Sequence, residues 1–361
     1  MTPKYDNNFI YGSNNLLNWA QSCFIIPEYV NKKIVEKGNQ KQKETAWKNL
    51  ILTEQLRGRR SVTGLMSPMF SVSNKLDRTI YDAKHDESLP GILVRREGGR
   101  RKGGSTVSEA YEYSGSTYDF YKDIYKRNSI DTRGMKLDST VHYGEDYNNA
   151  FWNGTQMVYG DGDGEIFQRF TKCIEVIGHE LTHGVTQYEA ALEYEGQAGA
   201  LNESFSDVFG SLVKQYALKQ KVDQADWLIG AGLLTGKIKG VALRSMKMPG
   251  TAYNDPTIGK DPQPSHMKKY VKTSSDNGGV HINSGIPNRA FYLTAMELGG
   301  YAWERAGRIW YVALTERLRE RSNFQKAADI TVEVAGIIYG ENSKEQKAVI
   351  KGWKGVGLIP K

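Results

Sequence analysis

Apolar residues return every three to four positions through the run Ile174, Ile177, Leu181, Val185 and Tyr188, which lays one buried stripe along a helix. A second helical segment is expected over 201–218. Further on, 287–298, 303–318 and 325–338 repeat the helical spacing, Gly340 can close the last of these, and 344–353 predicts a final short helix. The stretch before residue 160 has a different texture. Short β-type runs at 79–83, 91–95, 140–143 and 155–159 are bounded by turn residues, with one helix near 116–125. Strands gather in one half and helices in the other, so the fold class is α+β.

The first 70 or so residues read as a separate unit. A helix over 27–37 ends at Gly38, and Asn39 can cap a second through Ala46, Trp47, Leu50 and Ile51 to Leu56. Two short helices cannot bury a core of their own, so the unit must dock elsewhere or stay loose. Arg57-Gly58-Arg59-Arg60-Ser61 and a Ser/Met/Gly/Pro-rich linker to Ser73 follow, the kind of exposed segment where proteases cut.

Composition changes this picture little. The chain of 361 residues can bury a large core, and its formal charge of +7 is modest. A basic cluster, Arg95-Arg96 and Arg100-Arg101-Lys102, interleaves with glycines as in an exposed hairpin tip. It lacks the aromatic interleaving and recognition helix that nucleic acid binding uses, so no nucleic acid partner is expected. Two cysteines, Cys23 and Cys173, are too few for a disulfide framework. Cys23 capping a metal in a latent form is one role left open for it. No run approaches the about 20 apolar residues of a membrane span. The first 20 residues also lack the charged and apolar regions of a conventional secretion signal.

The candidate chemistry sits on the 174–188 helix. His179 and His183 are four residues apart, so their imidazoles point the same way, at a spacing that suits two ligands of one tetrahedral zinc. Glu180 borders the metal, where a carboxylate can take a proton from zinc-bound water. Glu203, in Asn202-Glu203-Ser204-Phe205-Ser206-Asp207, is the expected third ligand, and Asp207 one turn later can accept the remaining ring N–H of a zinc histidine. Thr186 and Glu189 stand where a metzincin would need glycine and histidine. Gly160-Asp161-Gly162-Asp163-Gly164 invites a calcium-loop reading, but Ile166 and Lys172 replace the glycine and acid of an EF-hand, leaving a tight turn. In the polar, glycine-rich loop 276–285, Asp276 can orient and charge His281, whose cation can stabilise an oxyanion; Tyr194 can add a phenolic donor.

Taken together, Asn148 to Gly154, the Gly-Asp-Gly-Asp-Gly turn, the zinc helix, Asn202 to Asp207, Ala242 to Met246 and Asp276 to Gly285 resemble the thermolysin family of neutral zinc endopeptidases over residues 78–361. The short N-terminal segment, with Ile26-Pro27 opening a helix that stops at Gly38, resembles the protealysin branch; Glu28 stands where that branch usually has a second proline. The resemblance implies a thermolysin-like fold made as a precursor: 1–72 pro-segment and linker, 73–192 β-rich half including the zinc helix, 193–361 helical half. It implies that His179, His183 and Glu203 hold zinc, Glu180 activates water, and Tyr194 and His281 steady the tetrahedral intermediate. Asp207 and Asp276 would hold the rings of His179 and His281. Arg244 would bind the substrate carbonyl after the scissile bond, and Asn149 and Ala150 the substrate strand. Val176, Leu243, Phe167 and Phe170 would line a pocket that selects bulky hydrophobic residues there.

The implied substrates are peptides and proteins, with the pro-segment as intramolecular inhibitor, self-processing before Leu65, Phe70 or Val72, and action as a monomer. Secretion without a conventional signal is expected, or cytoplasmic residence until release. The family's paired Ca²⁺ site is expected to be lost. Its positions hold Glu175 and Lys214, Leu228 stands where an acid would follow Asp226, and the Lys214 ammonium should pair with Glu175 and Asp226 instead. A zinc aminopeptidase would need an acidic anchor for a free amine. The nearest match, Ala295-Met296-Glu297-Leu298, lies inside a predicted helix. A zinc-stabilised binding protein would have no use for Glu180.

Overall fold

The computed structural model describes residues 23–63 and 73–360. A six-stranded sheet organises the first half, in the order β1 (Cys23–Phe24), β5 (Ala150–Trp152), β6 (Met157–Tyr159), β4 (Leu137–Val141), β2 (Arg78–Asp82) and β3 (Ile92–Arg96). The β2–β4 and β4–β6 pairs are parallel; the other pairs are antiparallel. The β4, β5 and β6 strands are buried almost throughout, as central strands covered on both faces should be. Helix α3 (Gly104–Tyr125) packs against the sheet and against α4 (Ile174–Tyr188), the helix of the histidine pair. The Arg95-to-Lys102 cluster is a strand-to-helix connection rather than a hairpin tip. Arg95 there stacks on Tyr111, and Arg101 donates to Ser108.

Helix α5 (Gly196–Ala217) lies against α4 and opens the helical half. That half continues through α6 (Asp276–Asn283), α7 (Gly285–Leu298), α8 (Ala306–Val312), α9 (Phe324–Tyr339) and α10 (Lys344–Gly355). One hydrophobic core runs from the sheet through α4 and α5 into this bundle. Strands β7 (Leu228–Ile229) and β8 (Arg244–Ser245) form a small ribbon that carries Arg244. Among the described residues no helix is long and apolar enough to cross a membrane.

The N-terminal helices dock, as their small size requires. Helix α1 (Glu28–Lys37) stops at Gly38; α2 (Gln40–Thr63) starts at Asn39, whose side chain accepts from the Gln42 N–H while Gln42 returns a bond to the Asn39 N–H. Leu52 and Leu56 of α2 and Phe24 of β1 share a cluster with Tyr143, Tyr147 and Phe151, and Ile25, Ile26, Val30 and Ile34 enter the main core. The Arg57 to Ser61 run is helical, not linker, because α2 continues through it. Residues 64–72, with the processing points Leu65, Phe70 and Val72, lie outside the described residues.

Candidate metal centre

Helices α4 and α5 meet at two glycines. A Cβ on Gly210 would stand 2.4 Å from the Glu175 carbonyl oxygen, and one on Gly178 would stand 3.1 Å from the Gly210 Cα. This close approach brings Glu203 and Asp207 of α5 against the two histidines of α4. The His179 and His183 rings meet edge to face with centroids 4.6 Å apart, and their Nε2 atoms are separated by 3.0 Å. Glu203 reaches both, Oε2 at 3.5 Å from His179 Nε2 and Oε1 at 3.4 Å from His183 Nε2. All three side chains are buried.

The ring protons can be assigned from their neighbours. His179 Nδ1 is 2.8 Å from Asp207 Oδ1. His183 Nδ1 is 2.8 Å from Asn202 Oδ1, and Asn202 Nδ2 donates to the Leu192 carbonyl, which turns the amide oxygen toward the ring. Both partners accept, so both Nδ1 atoms carry the proton and both Nε2 atoms present lone pairs. Two lone pairs at 3.0 Å, beside a carboxylate whose Oε2 has no hydrogen-bond donor, call for a cation between them. Ligands 2.0–2.1 Å from a tetrahedral zinc stand about 3.3 Å apart, close to the spacings here. Two neutral imidazoles and a carboxylate therefore fit zinc.

Asp207 is held from three sides. Arg244 makes a two-pronged pair with it (2.9 and 2.8 Å), and Asn288 Nδ2 donates at 2.8 Å. Burial works against the Asp207 charge, but Arg244 and His179 outweigh it and hold the carboxyl well below the usual range. At the other side of the cluster, Asp276, Asn277, Gly278 and Gly279 have positive φ and wind the expected loop into a tight turn inside α6. That turn folds the Asp276 carboxylate back, so that Oδ2 accepts the His281 backbone N–H and Oδ1 lies 2.6 Å from His281 Nδ1. Burial opposes a charge on His281, yet Glu203 and Asp276 together hold its pKa above the ordinary histidine value. Tyr194 donates to Glu203 and lies 3.2 Å from His281 Nε2; burial keeps its phenol protonated. Glu180 is buried beside this group, and its Oε2 accepts the Trp152 backbone N–H at 3.1 Å.

A backbone segment runs through the cluster. Ile25 N–H donates to the Ala150 carbonyl, and the Ile25 carbonyl accepts from Arg244 Nη1 at 3.1 Å. Asn149 takes both groups of Ile26, its Oδ1 accepting the N–H at 2.9 Å and its Nδ2 donating to the carbonyl at 3.2 Å. The Phe24 carbonyl lies 2.9 Å from His281 Nε2. Val176, Leu243, Phe167 and Phe170 are buried in the same core as Ile25. The sequence assigns no role to Asn202, Ser206 or Asn288, which complete the polar shell, and does not place the Phe24–Ile25 backbone in the site. The signal for the first two is their position at −1 and +3 from Glu203, which puts both near the same helix face.

The family models of the thermolysin metallopeptidases match twice, the catalytic domain over residues 62–187 and the alpha-helical domain over 190–358. The chain belongs to this family and is a metallopeptidase of its zinc-dependent class. It is 51% identical to an extracellular metalloprotease of Pectobacterium carotovorum subsp. carotovorum, over 93% of this chain and 96% of that one. It is 48% identical to protease PrtS of Photorhabdus sp. (strain Az29), over 92% and 91%. The solved precursor of protealysin, a metalloproteinase from Serratia proteamaculans, superposes with a TM-score of 0.86 at 51% identity, covering 93% of this chain and all of that one.

Proposed function

We propose that the chain is the precursor of a zinc endopeptidase that cuts on the N-terminal side of bulky hydrophobic residues. The observation that carries this reading is the seat of the Phe24 to Ile26 backbone. Ala150, Asn149, Arg244 and His281 together hold five consecutive polar groups of the Phe24 to Ile26 backbone beside the histidine pair. A segment that enters at Cys23 and leaves toward Pro27 needs no chain end at the site, which favours an endopeptidase over an aminopeptidase. Ile25, after the carbonyl that faces His281, is fully buried, which favours an apolar side chain in that position; Val176, Leu243, Phe167 and Phe170 are the proposed lining.

In this reading His179, His183 and Glu203 hold the metal, which when bound supplies a Lewis acid and an activated water. Glu180 takes the proton of the attacking water and passes it to the leaving amine. His281 and Tyr194 donate to the oxygen that gains charge on the substrate carbonyl. Arg244, fixed by Asp207, and Asn149 set the register of the strand. Residues 1–72 serve as the pro-segment, and its β1 strand inhibits by occupying the cleft until it is removed. We further propose that the paired calcium site is lost, with Lys214 in its place. Secretion is proposed from the extracellular relative.

Casein digestion with and without 1,10-phenanthroline, repeated on Glu180→Ala and followed by mapping of the cut sites, tests the assignment. Activity that survives the chelator or the substitution would sink it, and cuts with no apolar preference would remove the pocket. N-terminal sequencing of the protein from medium and from cells tests processing and location; residue 1 retained in the active form would refute the pro-segment.

A further inference from the structure

Because the Phe24–Ile25 peptide bond lies in the polarity the proposed substrate takes, the inhibitory strand needs a reason not to be cut. Its carbonyl faces His281, and the next residue is held by Ala150 and Arg244. Cys23 precedes that bond. It is paired with Trp152 and packed between Tyr194 and Val280, so its position is set by the strand and by the site. Its Sγ, a ring nitrogen of His183 and a carboxylate oxygen of Glu203 all lie within 4.8 Å of one another. Glu203 itself is fully buried, and its Oε2 lacks a hydrogen-bond donor, so the same spot independently asks for a cation.

Building on the zinc reading above, we infer that Cys23 is a latch: in the unprocessed chain its sulfur takes the open fourth position on the metal and excludes the water that would cut Phe24–Ile25. A catalytic zinc keeps one position for water, and a thiolate is a better zinc ligand than water. The exchange balances without any redox change. The thiol releases its proton to solvent, the sulfur binds the metal, and one water leaves. Removal of the pro-segment takes Cys23 away and restores the water. Cys173 has no such role, since its thiol donates to the Ala231 carbonyl away from the cluster.

The test uses the full chain carrying Glu180→Gln, which keeps it whole, loaded with Co²⁺ in place of zinc. The latch predicts visible bands of four-coordinate cobalt together with a near-ultraviolet thiolate-to-cobalt band, the latter lost in the Cys23→Ser double variant. Visible bands with no thiolate band in the parent overturn the latch and leave the metal site standing. Failure to take up cobalt at all overturns the metal reading, and the latch with it. In the otherwise native chain, Cys23→Ser is expected to yield a fragment that begins at Ile25, detectable by mass spectrometry; an uncut bond there contradicts the protective role. Should that variant not fold, alkylation of Cys23 in the parent decides. It should be slow with metal bound and fast after chelation, and equal rates count against the latch.

Discussion

Two charged clusters at the contact of α4 and α5 differ in how their charges are met, the second reaching out to the exposed Asp226. In the first, His179 Nε2, His183 Nε2 and the Glu203 carboxylate turn lone pairs toward one another. The second lies about one helical turn along α4. There Lys214 Nζ stands 3.3 Å from Glu175 Oε1 and 2.7 Å from Asp226 Oδ2, the pairing expected from the family resemblance. Burial raises the Glu175 pKa, with Lys214 opposing it, while Lys214 stays above its usual value because Glu175 and Asp226 outweigh its own burial. In the reading proposed above, Lys214 takes the place of a metal in the second cluster, whereas the facing lone pairs of the first call for one.

The largest expected effect comes from Glu180, which borders the first cluster without closing it. Glu180→Ala should lower kcat by roughly 10²–10⁴-fold with zinc retained, read by peptide hydrolysis beside elemental analysis. Loss of zinc from this variant would make Glu180 a ligand and break the division of roles. In the second cluster, Lys214→Ala should cost about 3–5 kcal/mol by denaturant unfolding, since Glu175 would be left buried without a counter-charge. The native chain should keep its melting temperature when calcium is chelated, and a large drop would contradict the contrast. Lys214→Asp sharpens it further by turning a self-neutralised cluster into a set of acids. That variant should gain stability on adding Ca²⁺ where the native chain does not.

Asp207→Asn comes next, with a loss of zinc affinity of roughly 10–100-fold by competition against a chelator. The smallest effect belongs to a half-exposed pair, His142 Nδ1 and Asp161 Oδ2 at 2.7 Å. The hydrogen bond to Asp161 raises the His142 pKa against partial burial. A raised histidine stabilises fully below its unfolded value, about 6.5, and that gain fades as pH rises through the higher folded value. Exposure limits it to about 1 kcal/mol or less. His142→Ala should therefore narrow the difference in melting temperature between pH 5.5 and pH 8, values chosen to bracket an ordinary histidine at about 6.5.

What could be read from the chain follows from how local each feature is. His179 and His183 lie four residues apart on one helix and Glu203 and Asp207 four apart on the next, so periodicity alone puts each pair on one face and leaves Glu180 bordering the first. Asp276 and His281 were legible as a pair, though their loop proved to be wound by four residues of positive φ into a tight left-handed turn. The first half of α3 was missed because Gly104 to Ser116 mixes glycine, serine and threonine without a clean apolar period, and α2 runs past its expected end through an Arg/Gly run that resembles linker. Contacts across long separations left no trace: Arg244 on Asp207, Asn288 on Asp207, and the Phe24 carbonyl beside His281 each join distant segments. Cys-Phe-Ile-Ile-Pro carries too few residues to reveal a two-residue strand, yet it fills the site.

The central claim is that His179, His183 and Glu203 converge on one metal. Zinc analysis of purified full-length chain, of Glu203→Ala and of Glu180→Ala tests it most directly. The account predicts a full equivalent of zinc in the first and third and little in the second. Zinc held at full occupancy in Glu203→Ala would contradict it.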